Sequence, residues 1–335
     1  MEAGELTGTR PGTASLRGFA REQPALIALG ILIAVGIALI VAEGVEPFAQ
    51  RSVNGLVAGS YFALGAIGLT LVYGILKLVN FAHGDMLTFG AYIALLFDTT
   101  LGLPLSAALL FGVAATAAFG VASELIMWRP MRKKRAGMLQ LLLMSLGLAF
   151  VLRNMIQFVA GTAPQSLDAN VTDTYGFLGL TIGRTELVVV VIAFVVLTAV
   201  ATMLRVTTLG RQMRALADNF DLAETTGIDT SRIVLWTWAL AGALAGLAGV
   251  LVVAATGSLS PNTGFFLLLS LFAAVVLGGI GNAYGALAGG LVIGLTQEWS
   301  TLVISSEWKV AVSFIVLIVV LIVRPEGIFG KERTL

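Results

Sequence analysis

The chain has 335 residues, of which 58% are hydrophobic and 12% are charged, and its mean hydropathy is +0.96. Soluble domains carry about 25% charged residues, so this composition excludes a soluble globular protein. The net charge of +1 gives no basis for nucleic-acid binding, and the lack of cysteine excludes disulfides and thiolate metal sites. Apolar runs of about 20 residues can cross a bilayer as helices. The composition therefore predicts an all-α polytopic membrane protein.

The chain divides into three predicted parts. Residues 1–23 are polar and are predicted as an N-terminal extension, 24–328 as a transmembrane domain, and 329–335 as a tail, with the extension and the tail on the cytoplasmic side by the charge pattern given next. The predicted apolar segments of the middle part are, in chain order, 24–42, 53–76, 86–97, 105–128, 137–160, 186–204, 233–256, 265–299 and 310–323.

Basic residues predict which connections are cytoplasmic, because Lys and Arg accumulate on that side of the membrane. All the basic segments lie on one side if 24–128 and 233–323 each cross an even number of times, because the two spans between them return the chain to the same side. This arrangement gives ten crossings if two interrupted stretches cross fully, or eight if each is re-entrant, and the charge pattern does not choose between them. Segment 161–185 is then external. The basic segments are the N-terminus, 129–135, 205–232 and the C-terminus.

The first interrupted stretch is 76–86, which holds the only histidine of the chain. Ionisable groups are costly in a bilayer and usually face a protein interior or an aqueous path. One interpretation is a solvated turn, in which Asn80 and Asp85 stabilise the turn by bonding to nearby backbone. The other is a discontinuous helix that exposes Asn80, His83 and Asp85 to a translocation path. The apolar neighbours Val79 and Phe81 favour the path.

A second glycine-rich interruption, 278–285, also contains an asparagine and also leads into a glycine-rich helix. One broken segment in each half predicts an internal duplication with the path between the repeats. The alternative is that glycines cluster wherever helices pack closely, as Gly-x-x-x-Gly pairs also indicate. Such pairs occur at Gly55/Gly59, Gly242/Gly246, Gly285/Gly289 and Gly290/Gly294. The predicted path or gate residues are Asn54, Asn80, His83, Asp85, Gly279, Gly281 and Asn282.

The polar connection 205–232 contains a predicted amphipathic helix over 208–227. Arg214 and Asp218 stand at i and i+4 on its polar side, and Gly227 is placed to cap its C-terminus. A helix lying on lipid is usually rich in Lys and Arg, whereas this one has balanced charge. The pattern therefore favours docking into a groove of a cytoplasmic partner. The apolar residues at helical spacing are Met213, Leu216, Ala217, Phe220 and Ala223.

Several enzyme motifs are missing from the sequence. It contains no G-x-x-x-x-G-K-[ST] phosphate-binding loop, no H-E-x-x-H and no G-x-S-x-G. Energy for transport must then come from a partner, and an integral-membrane enzyme is disfavoured. A stand-alone secondary transporter or channel is the other competing class. It should hold buried acids for ion coupling, whereas the clear spans offer only Glu124 and Glu298.

Four motifs occur in order between about residue 50 and 330. They are Asn54-Gly55-Leu56 with Gly68 to Ile75 and Asn80-Phe81-Ala82-His83-Gly84; Leu209-Gly210-Arg211 with Ala223 to Ile228; Gly278-Gly279-Ile280-Gly281-Asn282; and Arg324-Pro325-Glu326-Gly327. Together they resemble the branched-chain amino-acid (LIV-type) ABC importer permeases, specifically the subunit type with the early Asn-Phe-Ala-His-Gly motif.

The resemblance implies a bacterial inner-membrane importer with cytoplasmic chain termini. Its expected partners are a second, distinct permease, two ATPase subunits that bind ATP and Mg, an external binding protein and membrane lipid; this chain binds no cofactor. The expected substrate is a branched-chain or other amino acid, with urea or a short amide as the alternative. The predicted ATPase-coupling residues are Arg211, Arg214, Asp218, Glu224 and Gly227.

Overall fold

The computed structural model describes residues 24–166, 173–177, 179–324 and 326–330. The predicted N-terminal extension 1–23 and residues 331–335 of the tail lie outside the described residues. The helices are α1 (Pro24–Glu43), α2 (Val45–Leu76), α3 (His83–Thr99), α4 (Leu105–Ser123), α5 (Arg129–Lys133), α6 (Met138–Ala160), α7 (Arg184–Val206), α8 (Thr208–Asp218), α9 (Phe220–Thr225), α10 (Thr230–Thr256), α11 (Thr263–Gly278), α12 (Ala283–Ser300) and α13 (Lys309–Val323).

Shorter elements complete the described chain. A π-helical turn, Glu124–Trp128, joins α4 to α5, and a 3-10 turn, Ser306–Trp308, precedes α13. Strands β1 (Thr174–Phe177) and β2 (Leu180–Gly183) form an antiparallel hairpin inside a segment predicted as a polar loop. Seven of the described helical segments are long and apolar enough to cross a membrane, which confirms the all-α polytopic fold.

The bundle has two ends that the chain marks clearly. One end carries the hairpin, which lies between α6 and α7, and is called the hairpin end. At the other end α7 leads into α8, and this end is called the α8 end. Gln50, near the start of α2, donates to the Thr181 carbonyl of the hairpin at 2.7 Å. Lys77, which caps α2, donates to the Ala217 carbonyl of α8 at 3.3 Å. Helix α2 therefore runs from the hairpin end to the α8 end.

Helix α10 runs in the opposite direction. It begins just after α9, and beyond its C-terminus Leu259 pairs through its backbone with Gln165 at the hairpin end. Both α2 and α10 end on a left-handed residue, Lys77 with φ 52° and Gly257 with φ 69°. Each is followed by a non-helical link, the first break 77–82 and the second break 257–262, and then by a shorter helix, α3 or α11. The two halves thus repeat the same order of elements with inverted direction.

The contacts between the halves are reciprocal, as a two-fold relation requires. Gly84 and Gly264 lie so close that a Cβ on either would overlap the carbonyl oxygen of the other. Thr88 then faces Gly264, and Leu268 faces Gly84. At the level of helices, α2 packs on α12 as α10 packs on α4, and α3 packs on α6 as α11 packs on α13. These contacts confirm an internal duplication.

The pairing of the broken segments differs from the sequence interpretation. The structural counterpart of the first break is 257–262, which lies between the predicted apolar segments 233–256 and 265–299, and not 278–285. Residues 279–282 instead form the short turn between α11 and α12. Glycines cluster there because the two helices touch: an added Cβ at Gly278 would overlap the Gly285 carbonyl, and one at Gly289 the Ala274 carbonyl.

Helices α2 and α12 meet along small residues. A Cβ added to Gly55 would lie 3.2 Å from the Gly294 carbonyl oxygen. A Cβ added to Gly59 would lie 3.3 Å from the Gly290 carbonyl oxygen. Two of the Gly-x-x-x-Gly pairs therefore face each other inside one chain, where small residues allow the backbones to approach.

Within the described residues, the connectivity fits ten passes rather than eight: the seven long apolar segments together with α3, α11 and α12. His83, at the start of α3, bonds to Gly65, which lies about three turns before the end of α2 at 3.6 residues per turn. The first break thus returns along α2 to mid-bundle, and α3 continues to the hairpin end, where Thr99 and Thr100 lie near Gln165. The first break and α3 together make one pass across the bundle, and the second break with α11 repeats this arrangement. Neither broken segment is therefore a re-entrant pair.

The contact of Gly84 with Gly264 predicts a sharp difference between two Gly→Ala variants. In Gly264→Ala the new methyl group overlaps backbone that cannot move aside, and overpacking of this kind costs about 1–3 kcal/mol. We expect a clearly lower unfolding temperature in detergent. The control is Gly147→Ala on α6, where an added Cβ meets nothing within 4 Å. Equal unfolding temperatures for both variants would contradict the close approach.

Candidate translocation path and coupling site

The side chain of Asn80 stabilises the backbone of the first break. Its side chain is fully buried, and its Oδ1 accepts a hydrogen bond from the Ala82 backbone N–H at 3.1 Å. Its Nδ2 lies 3.9 Å from the Met86 sulfur in the first turn of α3. Buried backbone groups need partners because no water replaces them in a bilayer. Asn80 supplies one such partner where the chain leaves helical geometry.

His83 ties the start of α3 to α2. Its Nε2 donates to the Gly65 carbonyl at 2.9 Å, and the ring is 1% exposed. A Cβ at Gly68 would lie 3.0 Å from the ring Cε1, so the glycine leaves the space that the imidazole occupies. In this arrangement the imidazole holds two helices together and contacts backbone.

Asp85 forms a buried ion pair with Arg153 of α6. The Arg153 Nε lies 2.8 Å from Oδ1, and Nη2 lies 3.1 Å from Oδ2. The carboxylate is 1% exposed and the guanidinium side chain 13%. The guanidinium also lies 4.4 Å from the centre of the Phe265 ring in α11. Arg153 therefore connects α6 to the first turns of both short helices.

Sequence reasoning missed Arg153 and its partnership with Asp85. The available signal was charge: a lone basic residue inside one apolar run requires an acidic partner from another. Asp85 also lies in the first turn of α3, where a helix stabilises negative charge.

The predicted path residues of the second glycine cluster lie elsewhere. Gly281 donates its backbone N–H to Thr70 Oγ1 at 2.9 Å. Asn282 caps α12 through Oδ1 and donates to the Phe329 carbonyl at 3.1 Å. Gly279, with φ 96°, lies against Gly330. These three residues form an outer turn at the α8 end, beside the C-terminal segment.

The two interrupted stretches, 76–86 and 278–285, both pack against the second half of α2, but they do not meet each other. His83 lies beside positions 65 and 68, and Gly281 beside 70 and 74. At 100° per residue these positions occupy opposite faces of the helix. Asn54 lies apart from both, near the hairpin end, where its Oδ1 accepts from Gln50 at 3.0 Å.

The predicted coupling helix is two helices rather than one. Asn219 adopts φ −154° and ψ 107°, ending α8, and its Oδ1 accepts from the Leu222 N–H at 3.0 Å to cap α9. The single-helix prediction over 208–227 was wrong because an asparagine side chain competes for backbone hydrogen bonds and begins a new helix.

The apolar face of α8 and α9 packs on this chain itself. Met213 and Leu216 are 2% and 1% exposed, and Ala223 is also buried. Helix α8 contacts α2, α7 and α10. The groove that receives the apolar face thus belongs to this chain itself. The surface left for a partner is mostly polar, with Leu222 as an exposed apolar side chain.

The predicted coupling residues line that polar surface. Arg211, Arg214, Asp218 and Glu224 are all exposed. Arg214 donates to the Arg205 carbonyl at 3.4 Å, and the predicted pair with Asp218 is not among the ion pairs of the described residues. Gly227 has φ 84°, and N–H groups of Gly227 and Ile228 bond back to Glu224 and Ala223. This is the Schellman geometry, which confirms the predicted C-terminal cap.

Within 24–166, 173–177, 179–324 and 326–330, the acidic and histidine side chains form no group of three that could hold a metal ion. The buried side chains of Asn80, His83 and Asp85 bond to backbone or to Arg153, so they hold helices in position. The roles predicted for individual path and coupling residues stay predictions.

Comparisons with known proteins agree over most of the chain. Residues 51–321 match the family described as branched-chain amino acid transport system / permease component. The permease LivH of Salmonella typhimurium is 32% identical over 299 residues, covering 85% of this chain and 96% of LivH. BraD of Pseudomonas aeruginosa is 33% identical, covering 85% and 97%. The ribose import permease RbsC of Escherichia coli is 30% identical over 317 residues, covering 90% and 93%.

The Asp85–Arg153 pair predicts a strong energetic coupling in a double-mutant cycle. Asp85→Asn or Arg153→Gln alone leaves an unpaired buried charge, which costs about 3–5 kcal/mol. The double variant removes both charges, and we expect it to recover much of the lost thermal stability in detergent.

The matched control for this cycle is the exposed pair Asp173–Arg184, whose side chains are 55% and 64% exposed. Breaking an exposed pair costs at most about 1 kcal/mol. Additive effects at Asp85 and Arg153, equal to those at the control pair, would contradict a buried ion pair.

Proposed function

The chain belongs to the family of branched-chain amino acid transport permeases, and we propose on that premise that it is the membrane-spanning subunit of an ATP-driven importer. It moves branched-chain or other amino acids from an external binding protein into the cytoplasm. The observation that carries the proposal is the family match over 51–321, together with relatives named as branched-chain amino acid permeases at 32–33% identity.

In the proposed complex two partner ATPase subunits bind ATP and Mg, and a second permease, a distinct paralogue, completes the path. The polar face of α8 and α9 is the surface offered to an ATPase subunit. Its apolar face is anchored to α2, α7 and α10, so movement of the segment reaches the membrane helices. The shortest route is Lys77, which bonds to Ala217 of α8 and to the Gly74 carbonyl at 2.6 Å.

The inverted repeats provide the moving parts. Helices α3 and α11 begin at mid-bundle and touch at Gly84 and Gly264. In transporters built from inverted repeats, one repeat rocks against the other around a site near the middle of the membrane. The first break connects this contact to α8, so nucleotide-driven closure changes the path at Asn80, His83 and Asp85.

The proposed orientation places the α8 end in the cytoplasm of a bacterial cell, with the protein in the inner membrane. The basic segment 129–135, which includes α5, follows α4 at that end, in agreement with the positive-inside rule. The described chain also ends there, because Phe329 bonds to Asn282. Both chain termini are then cytoplasmic, and the hairpin faces the binding protein.

A secondary transporter would use buried carboxylates to bind its coupling ion. In the described chain, no buried carboxylate is free of a basic partner. The three buried acidic residues each face a basic side chain: Asp85 with Arg153, Glu124 with Arg132, and Glu298 with Lys309. Proton-coupled transporters use relays of Asp, Glu or His side chains inside the membrane. The paired carboxylates therefore favour an external energy source.

Charge reversal on the coupling surface tests this proposal. Arg214→Glu puts a repulsive charge on an exposed position, and we expect substrate-stimulated ATP hydrolysis in liposomes to fall about tenfold, equivalent to about 1.4 kcal/mol of lost coupling. Assembly of the complex is checked by gel filtration. The control is Lys134→Glu, an exposed reversal outside 205–232. Normal stimulation in an assembled Arg214→Glu complex would remove this segment from coupling.

Cysteine labelling tests the path, and the cysteine-free chain makes it clean. Asn80 and His83 are buried, so Asn80→Cys and His83→Cys should resist polar maleimides in one nucleotide state and react in another. Lys77→Cys, at an exposed position, should react in every state. If Asn80→Cys and His83→Cys react from the cytoplasm alone in all states, 77–82 is an ordinary loop.

A further inference from the structure

Helix α6 packs on its own chain along one side only. Its buried side carries Leu152 and Ile156, and the main helix that it contacts in the described chain is α3. The opposite side, called the open side below, is bare: Val151, Met155 and Phe158 are 61%, 58% and 88% exposed. In an assembled membrane protein such a side meets either lipid or another subunit, and its chemistry distinguishes the two.

Two accessible amide side chains lie on the open side. Asn154 is exposed and Gln157 is partly exposed, and together with Val151 and Phe158 they line a shallow depression. The Asn154 Nδ2 donates to the Phe150 carbonyl of its own helix at 2.8 Å. The Asn154 Oδ1 and the whole Gln157 amide make no hydrogen bond within the described residues. A neighbouring molecule can therefore reach both amides and bond to them.

Both amides lie within the depth of the bilayer. Helix α6 has 23 residues, so it is about 34 Å long. When it is centred on a hydrocarbon core about 30 Å thick, Asn154 lies about 7 Å inside the edge and Gln157 about 2 Å inside. The adjacent Arg153 reaches Asp85 at the mid-bundle start of α3, in agreement with this depth. Lipid tails offer no hydrogen bond, so unpartnered amides facing them cost free energy.

Other outer spans carry no such groups. Helix α13 is the counterpart of α6 in the inverted repeat, and every exposed residue of 310–323 is aliphatic. In α1, residues 25–42 include no polar side chain. These two spans suit contact with lipid, whereas the open side of α6 suits a protein surface that supplies hydrogen bonds.

We propose that the open side of α6 binds the second permease subunit, with Asn154 and Gln157 hydrogen-bonded to polar groups of that subunit inside the membrane. The inference rests on the proposed function and names the surface where the two permeases meet. Membrane helices associate through close packing and through interhelical hydrogen bonds of Asn and Gln. Because Arg153 of the same helix pairs with Asp85, movement of the second permease against α6 reaches the first break.

Photocrosslinking identifies the neighbour of the open side. Benzoylphenylalanine takes the place of Phe158 in the assembled complex in liposomes, and the adducts are identified by mass spectrometry. The matched control is Val41 of α1, which is 81% exposed and, like Phe158, stands two residues before the end of its helix at the hairpin end. We expect adducts with the second permease from position 158 and with lipid from position 41. Adducts with lipid alone from position 158, or with another copy of this chain, overturn the proposal.

Replacing the amides tests their hydrogen bonds. In the double variant Asn154→Leu with Gln157→Leu, loss of two interhelical bonds should raise the dissociation constant of the permease pair about tenfold, measured by energy transfer between labelled subunits in liposomes. The unfolding temperature of the chain alone should not fall, because neither amide bonds to another element of the described chain. Val41→Leu should leave the pairing unchanged.

The outcomes separate this inference from the proposed function. Wild-type pairing in the double variant overturns the α6 interface and leaves the permease function intact. Failure of the wild-type chain to pair with any second permease overturns the proposed complex, and this inference with it.

Discussion

The need to pair every backbone polar group away from water governs this structure. Two helices begin in the middle of the bundle, where their first N–H groups have no helical partner. The Gly264 N–H bonds to Thr88 Oγ1 at 2.9 Å, and the Ala82 N–H bonds to Asn80. His83 fixes the first break to α2. Because Thr88 pairs with Gly264 across the two repeats, and Asn80 and His83 hold the first break in place, the contact of Gly84 with Gly264 sets the positions of α3 and α11.

Under the proposed function, the same contact provides a route by which nucleotide-driven movement of α8 reaches the predicted path. The first break has one end at Lys77, against α8, and the other at the meeting point of the repeats. Helix α6 joins the same region through Arg153, which spans Asp85 and Phe265. A shift of α8 therefore acts on a connected set of paired groups, and a partial shift would leave a buried charge or N–H unpaired. Such a set favours two discrete arrangements over a continuum.

Much of this was predictable from the sequence because its signals are local. Apolar runs gave the spans, Gly227 gave a cap, and the polar residues of 76–86 marked a real helix break. The counterpart of that break was missed because 257–262 contains Ser, Pro and Asn, which also make ordinary turns. The Asp85–Arg153 pair joins residues far apart in sequence. The bend at Asn219 depends on its side chain, which accepts a hydrogen bond from the backbone and not from water. Those features are decided by tertiary contacts.

The most direct test of the proposed import mechanism is leucine uptake into proteoliposomes that hold the chain with its second permease, ATPase subunits and external binding protein. The mechanism predicts uptake that requires ATP on the ATPase side, and that stops when the partner ATPase loses its phosphate-binding lysine. Uptake by the isolated chain in the absence of ATP, driven by an ion gradient, would contradict it.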